Sequence, residues 1–244
     1  MKISVLIPYK PDHGWRDFLW KNVEKRYKLL MPQLELCLGL DESELFSRAR
    51  AINKAARKAR GDLFIIADSD VIFNPDLITK IKSYIHLYPW IIPFKIGYRL
   101  TYEATMRLLE QKMPKKIKIG PQDIINKNLN RFSSGSLMNA MTRSTFEAVS
   151  GFDERFQGWG CEDRAFAISM NTICGNYFKM DETIYHLWHK FGGSTKTPEY
   201  KRNLALLDQY KAANHEVEKM KKLIKERSVE STFTITKKNI KRAK

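Results

Sequence analysis

Asp62-Leu63-Phe64-Ile65-Ile66-Ala67-Asp68-Ser69-Asp70 decides how the rest of the chain is read. A short, unbroken apolar run after Gly61 predicts a strand buried on both faces, as in a parallel sheet. At its end two carboxylates stand two residues apart in extended backbone. Both can approach one divalent cation, directly or through water, and hard oxygen ligands suit magnesium or manganese. By itself the pair reads more readily as a polar strand exit or helix cap before Pro75.

Upstream of this strand, two strand-helix units precede it. Ile3-Ser4-Val5-Leu6-Ile7-Pro8 is a β-branched run leading into the turn-rich Tyr9 to Gly14. Trp15 to Leu30 repeats apolar residues at helical spacing, Leu34 to Leu40 is a second strand ending at Asp41, and Ser43 reads as the N-cap of a helix from Phe46 to Arg60. Strands alternating with helices over short connections predict an α/β fold with a Rossmann-like, mainly parallel sheet flanked by helices. Ligands of such sheets bind beyond the carboxyl ends of the strands, where Tyr9, Asp41 and Asp68-Ser69-Asp70 fall.

Downstream, Pro75 to Tyr88 is expected to be a helix, Trp90 to Phe94 a strand and Thr101 to Gln111 a helix. Met113 to Arg131 is expected to be a mobile basic loop that closes over a bound donor. Gly135 to Met141 reads as a strand and Ser144 to Val149 as a short helix. Gly158-Trp159-Gly160-Cys161 leads into Glu162-Asp163 and a helix through Cys174. That stretch joins a tight turn and a sugar-stacking indole to paired carboxylates able to hold and deprotonate an acceptor hydroxyl, or it is simply a capped helix start. Thr183 to Trp188 reads as a strand ending in His189. Residues three apart on a strand face opposite ways, so His186 and His189 reach one ion only if the strand ends between them; His189 is the preferred ligand. Glu199 to Arg227 is expected to be one long lysine-rich helix, and Ser228 to Lys244 a basic tail. The domain reading is one α/β domain over 1–198, in halves 1–100 and 101–198, and a basic helical extension over 199–244.

The 244 residues carry 43% hydrophobic side chains and a formal net charge of +16, enough apolar content for one core and a field that attracts anions. The charge admits phosphorylated donors, acidic glycans, nucleic acid or a peripheral membrane contact, and does not choose among them. Three cysteines (Cys37, Cys161 and Cys174) without metal spacing, and no apolar run of membrane-spanning length, lead to the expectation of a cytoplasmic protein without a transmembrane segment. Arg48 near the amino end of its helix is placed to meet a diphosphate, whereas Arg50 faces elsewhere.

In their order along the chain, Phe46 to Asn53, Asp68-Ser69-Asp70, Phe132 to Phe152, Gly158 to Asp163 and His186 to His189 resemble the animal beta-1,4-galactosyltransferases and the bacterial chondroitin-polymerase-type transferases. The resemblance spans roughly residues 1 to 190. It implies a GT-A fold and an inverting, UDP-sugar-dependent hexosyltransferase that uses Mn2+ or Mg2+. It implies that Pro8, Tyr9, Asp41, Phe46, Arg48, Asp68 and Trp159 contact donor or acceptor, that Asp68, Asp70, His186 and His189 bind metal, and that Asp163 is the base with Glu162 orienting hydroxyls. Cys161 stands where that family has glycine, Arg164 where it has an acid, and the animal enzymes' membrane anchor and stem have no counterpart. The implied acceptor is a glycan or other anionic polymer, with hydroxylated nucleic acid also compatible with the charge. The competing reading is a non-catalytic basic module that binds nucleic acid or a membrane surface.

Overall fold

Strand β1, Ile3–Tyr9, is buried along its whole length and forms the axis of the larger sheet. It pairs in parallel with β2 (Glu35–Leu40) on one side and β3 (Leu63–Ala67) on the other. Helix α1 (Trp15–Leu30) and helix α2 (Arg48–Lys58) make the two crossovers. α2 lies so close to β2 that a Cβ on Gly39 would sit 1.8 Å from the Ala51 carbonyl oxygen, so the position admits only glycine. The computed structural model describes residues 1–111, 114–129, 136–190 and 192–227, with backbone alone at 127–129.

Beyond β3 the sheet ceases to be parallel. Strand β8 (Met138–Thr142) pairs antiparallel with β3, and β5 (Trp90–Ile92) antiparallel with β8, before β9 (Phe178–Lys179) joins β5 in parallel. The order is β2-β1-β3-β8-β5-β9. A second sheet, β4-β10-β6-β7, combines β4 (Val71–Phe73), β10 (Thr183–His186), β6 (Ile96–Leu100) and β7 (Ile124–Leu129). It too is mixed, with β10 parallel to β6 and antiparallel to β4. The expected mainly parallel sheet therefore holds for the first three strands; past them the chain returns by pairings that no local pattern encodes.

Several expected elements shift. The helix after Pro75 is α3, Asp76–Tyr84, and the helix after Thr101 is α4, Tyr102–Glu110. Ser47, not Ser43, caps α2, accepting from the Arg50 N–H, because the buried Asp41 carboxylate takes both the Ser43 hydroxyl and the Ser47 N–H. The 113–131 segment contains a 3-10 turn, Pro121–Asp123, and strand β7 against β6; Met113, Asn130 and Arg131 lie outside the described residues. Gly135 and much of the Phe132 to Phe152 motif's opening also lie outside them, and the strand expected from Gly135 is described from Met138. α5 (Arg143–Ala148) and α6 (Glu162–Ile173) fall close to expectation.

The long C-terminal helix is two helices, α7 (Pro198–Ala212) and α8 (217–227). His215 takes φ 63° between them, a left-handed turn that ends a helix, and its N–H donates to Thr172 on α6. Leu207, Tyr210, Met220, Leu223 and Ile224 join the same hydrophobic cluster as the sheet. The tail Ser228–Lys244 lies outside the described residues. Among those described, no helix is long and apolar enough to cross a membrane.

Candidate active site

The two sheets meet at the end of β3. Asp68 N–H donates to the Leu137 carbonyl and Val71 N–H returns to the Asp68 carbonyl, a tight turn that ends one sheet and opens the other. β4, immediately after Asp70, pairs with β10 so that Val71 lies opposite His186. β10 then ends. Leu187 N–H donates to the Asp70 carbonyl and Trp188 N–H to the Thr105 hydroxyl, and the chain swings round to bring His189 back. His186 Nε2 comes to 3.5 Å from Asp70 Oδ1 and His189 Nε2 to 3.2 Å from Asp70 Oδ2. The strand does end between the two histidines, which is the condition for both to face one point.

Asp70, His186 and His189 offer ligand atoms all within 4.8 Å of one another. Asp70 Oδ1 is buried without a hydrogen-bond partner among the described residues, a costly state that a cation would relieve. One oxygen and two nitrogens is a mixed donor set that admits manganese more readily than magnesium. Burial pushes the His189 pKa down, toward the neutral ring that ligates, with Asp70 opposing. Burial would raise Asp70, but His186, His189 and Arg16 hold it below the ordinary range.

Asp68 is placed differently. Its carboxylate accepts from Arg48 Nε at 2.9 Å and lies 2.8 Å from Arg48 Nη2, and the opposite edge of that guanidinium lies 3.7 Å from Glu162 Oε1. Arg48, in the first turn of α2, is thus a bridge between the β3 end and α6. Burial opposes its charge, yet Asp68, Glu162 and Asp163 together raise its pKa above the usual arginine value. The site residues that the sequence grouped as a metal pair therefore split: Asp70 joins the histidines, and Asp68 joins Arg48.

Glu162 and Asp163 open α6 after Gly158, Gly160 and Cys161, which stand at φ 71°, 97° and 81°. Two glycines take these left-handed conformations freely; Cys161 takes one against its side chain, with a strain of order 1–3 kcal/mol. Burial first, then Asp163, pushes the Glu162 carboxyl up to about 7, with Arg48 pulling it back. Asp163 accepts from the Arg164 N–H at 2.7 Å. Trp159 stands beside them, 45% exposed, with Tyr200 stacked at 5.5 Å between ring centroids.

Pro8, Tyr9, Phe46, Arg48, Asp68, Asp70, Trp159, Glu162, Asp163, His186 and His189 all line one cleft of about 590 Å3. Asp41 does not. It is 2% exposed, accepts from Ser47, Ser43 and Arg50, and borders a separate cavity behind α2. Its carboxylate is held by the start of α2. Sequence reasoning passed over Arg16, whose guanidinium lies 3.5 Å from His189 Nδ1, and Tyr200, both of which line the cleft. Arg16 opens the helix that follows β1, so the strand-end rule applies to it as well as to Tyr9. Tyr200 sits in a helix whose docking no local pattern announces.

The profile of the family described as "Glycosyltransferase like family 2" matches residues 33–243. The chain belongs to that family. It is a glycosyltransferase, and the reading of a non-catalytic module falls with that membership. No curated protein sequence matches it. Solved glycosyltransferases share its GT-A fold. S. aureus TarS residues 1–349 in complex with UDP-GlcNAc superposes with a TM-score of 0.55 at 12% identity, over 93% of this chain and 71% of that one. The same protein with UDP gives 0.51 at 13% identity, over 93% and 70%. The catalytic domain of Drosophila beta1,4-galactosyltransferase 7 with xylobiose gives 0.49 at 15% identity, over 83% and 79%.

Proposed function

We propose that this glycosyltransferase moves a hexose or N-acetylhexosamine from a UDP-sugar to a hydroxyl of a glycan or other anionic polymer, with inversion and with manganese. The observation that carries the reading is the convergence on one cleft of the Asp70, His186 and His189 trio with the Glu162–Asp163 pair. TarS, whose fold this chain shares, is known in complexes with UDP-GlcNAc and UDP, which supports the donor class. The net charge of +16 supports an anionic acceptor.

Asp70, His186 and His189 would hold the manganese, which when bound supplies positive charge to the departing diphosphate. Arg16, beside His189, adds a cation at the same end. Arg48, in contact with both Asp68 and Glu162, ties the donor side of the cleft to the acceptor side. Pro8, Tyr9 and Phe46 border the nucleotide. Trp159 offers an indole face to the acceptor sugar. Asp163 removes the proton from the attacking hydroxyl, on the side opposite the leaving group, so the anomeric centre inverts. Glu162, protonated up to about pH 7, donates to a sugar oxygen and keeps the acceptor oriented.

Thermal unfolding with Mn2+ and UDP, separately and together, tests the donor half. Joint stabilisation exceeding the sum of the separate effects is the expected result, followed by UDP release from one member of a UDP-sugar panel. No manganese-dependent UDP binding would overturn the proposal.

A further inference from the structure

Residues 153–161 carry Trp159 and deliver Glu162 and Asp163, yet they contain no helix or strand. Such a run must find partners for its carbonyls elsewhere. Three of them are met by one side chain. Asn203 on α7 directs its amide nitrogen at the carbonyls of Gln157 (2.9 Å), Gly160 (3.1 Å) and Trp159 (3.5 Å), and Asn203 is 3% exposed. On the same helix, a Cβ on Gly160 would come to 3.1 Å from the Tyr200 ring, and one on Gly158 to 3.3 Å from Glu199. The other end of the run is held from the same helices. The Tyr210 hydroxyl donates to Asp153 at 2.7 Å, and the buried Arg227 guanidinium donates to the Tyr210 oxygen and to the Val149 and Gly151 carbonyls.

We propose that Asn203 is a positioning residue for sugar transfer. By gathering the carbonyls of the 157–160 turn it sets the angle at which Trp159, Glu162 and Asp163 meet the acceptor. The C-terminal helices, set apart by sequence as an appended extension, are on this account the back wall of the acceptor site. The inference rests on the transferase reading above. An amide is the fitting group because it donates two hydrogens into a cluster of acceptors; a carboxylate there would be repelled, and a methyl would leave the carbonyls unmet.

The test uses the full chain labelled with 5-fluorotryptophan, whose five tryptophans give five 19F resonances; that of Trp159 is the one lost in Trp159→Phe. In Asn203→Ala the Trp159 resonance is expected to shift or broaden while those of Trp15, Trp20, Trp90 and Trp188 stay in place. Affinity for UDP with Mn2+ should remain within about twofold, and kcat/KM for acceptor should fall about tenfold or more, through KM in larger part. Asn203→Ser, which keeps one donor, should fall between, and it carries the same readouts if the alanine variant does not fold. A Trp159 resonance that does not move overturns the proposal, as does movement of all five, which marks a merely global role. Should the wild type transfer no sugar at all, the function reading fails on its own, and the 19F spectra still decide whether Asn203 holds the turn.

Discussion

The two ends of the cleft are built on different principles. At the metal end, His186 lies opposite Val71 in the ladder of β4 against β10, Asp70 immediately precedes β4, and the Leu187 N–H to Asp70 carbonyl bond ties the two segments together. At the acceptor end, Trp159, Glu162 and Asp163 follow a turn with three residues at positive φ, whose shape depends on Asn203, Tyr200 and Arg48 reaching in from elsewhere. A ladder is preorganised by the sheet that contains it; a turn needs a second layer to hold it. Substitutions at the metal end should therefore act on binding and leave the fold intact, whereas at the acceptor end function and stability should be harder to separate.

The sharpest break between the ends comes from Asp163→Asn. Loss of the base is expected to lower kcat by about 100- to 10,000-fold while UDP and Mn2+ bind as before, measured by single-turnover transfer and calorimetry. Unchanged turnover would remove Asp163 from the chemistry. Next is Arg48→Ala, which deletes the link between the two ends. Stranding Asp68 without its cation should cost about 3–5 kcal/mol in denaturant unfolding, and lysine should restore only part, because a single ammonium cannot address Asp68 and the Glu162 carboxyl together as the planar fork does.

The pH dependence of Glu162 gives a smaller effect of definite sign. Its folded pKa of about 7 lies above its ordinary value of 4.5, so its contribution to stability is complete below pH 4.5 and is lost as pH rises through 7. Wild type should therefore lose stability relative to Glu162→Gln across that window, by at most about 3 kcal/mol without metal or donor. A stability difference independent of pH would show that the carboxyl is ionised throughout. At the metal end, His189→Ala should weaken manganese-dependent UDP binding about 10- to 100-fold with the melting temperature of the unliganded protein nearly unchanged. A large drop in that temperature would erase the contrast between the two ends.

How much of this was legible in the sequence follows from how local each signal is. Leu63 to Ala67 reads as a buried strand because five apolar residues in a row need no partner to be recognised, and the Asp68-Ser69-Asp70 exit is visible with it. α1 and α6 were legible for the same reason, since helical periodicity is internal to a segment. β6 and β7 were missed: Ile124 to Leu129 is half polar, and it becomes a strand by pairing with Ile96 to Leu100, far from it in the chain. The break at His215 was missed because helical spacing continues on both sides of it and the turn is stabilised by Thr172 on another helix.

Within the site, residue chemistry raised Asp70, His186, His189, Glu162, Asp163 and Trp159 as candidates beside plain structural readings, and the resemblance of the ordered motifs to known transferases gave each its expected role. Which carboxylate sits with the histidines, where Asp41 points, what Arg48 binds and what holds Trp159 were decided by packing. Those are questions of distance between segments, and a side chain's partner is set by whichever segment the fold brings within a few ångströms. Sequence spacing determines the groups on offer; the meeting of β4 with β10, and of α7 with the 157–160 turn, determines which of them act together.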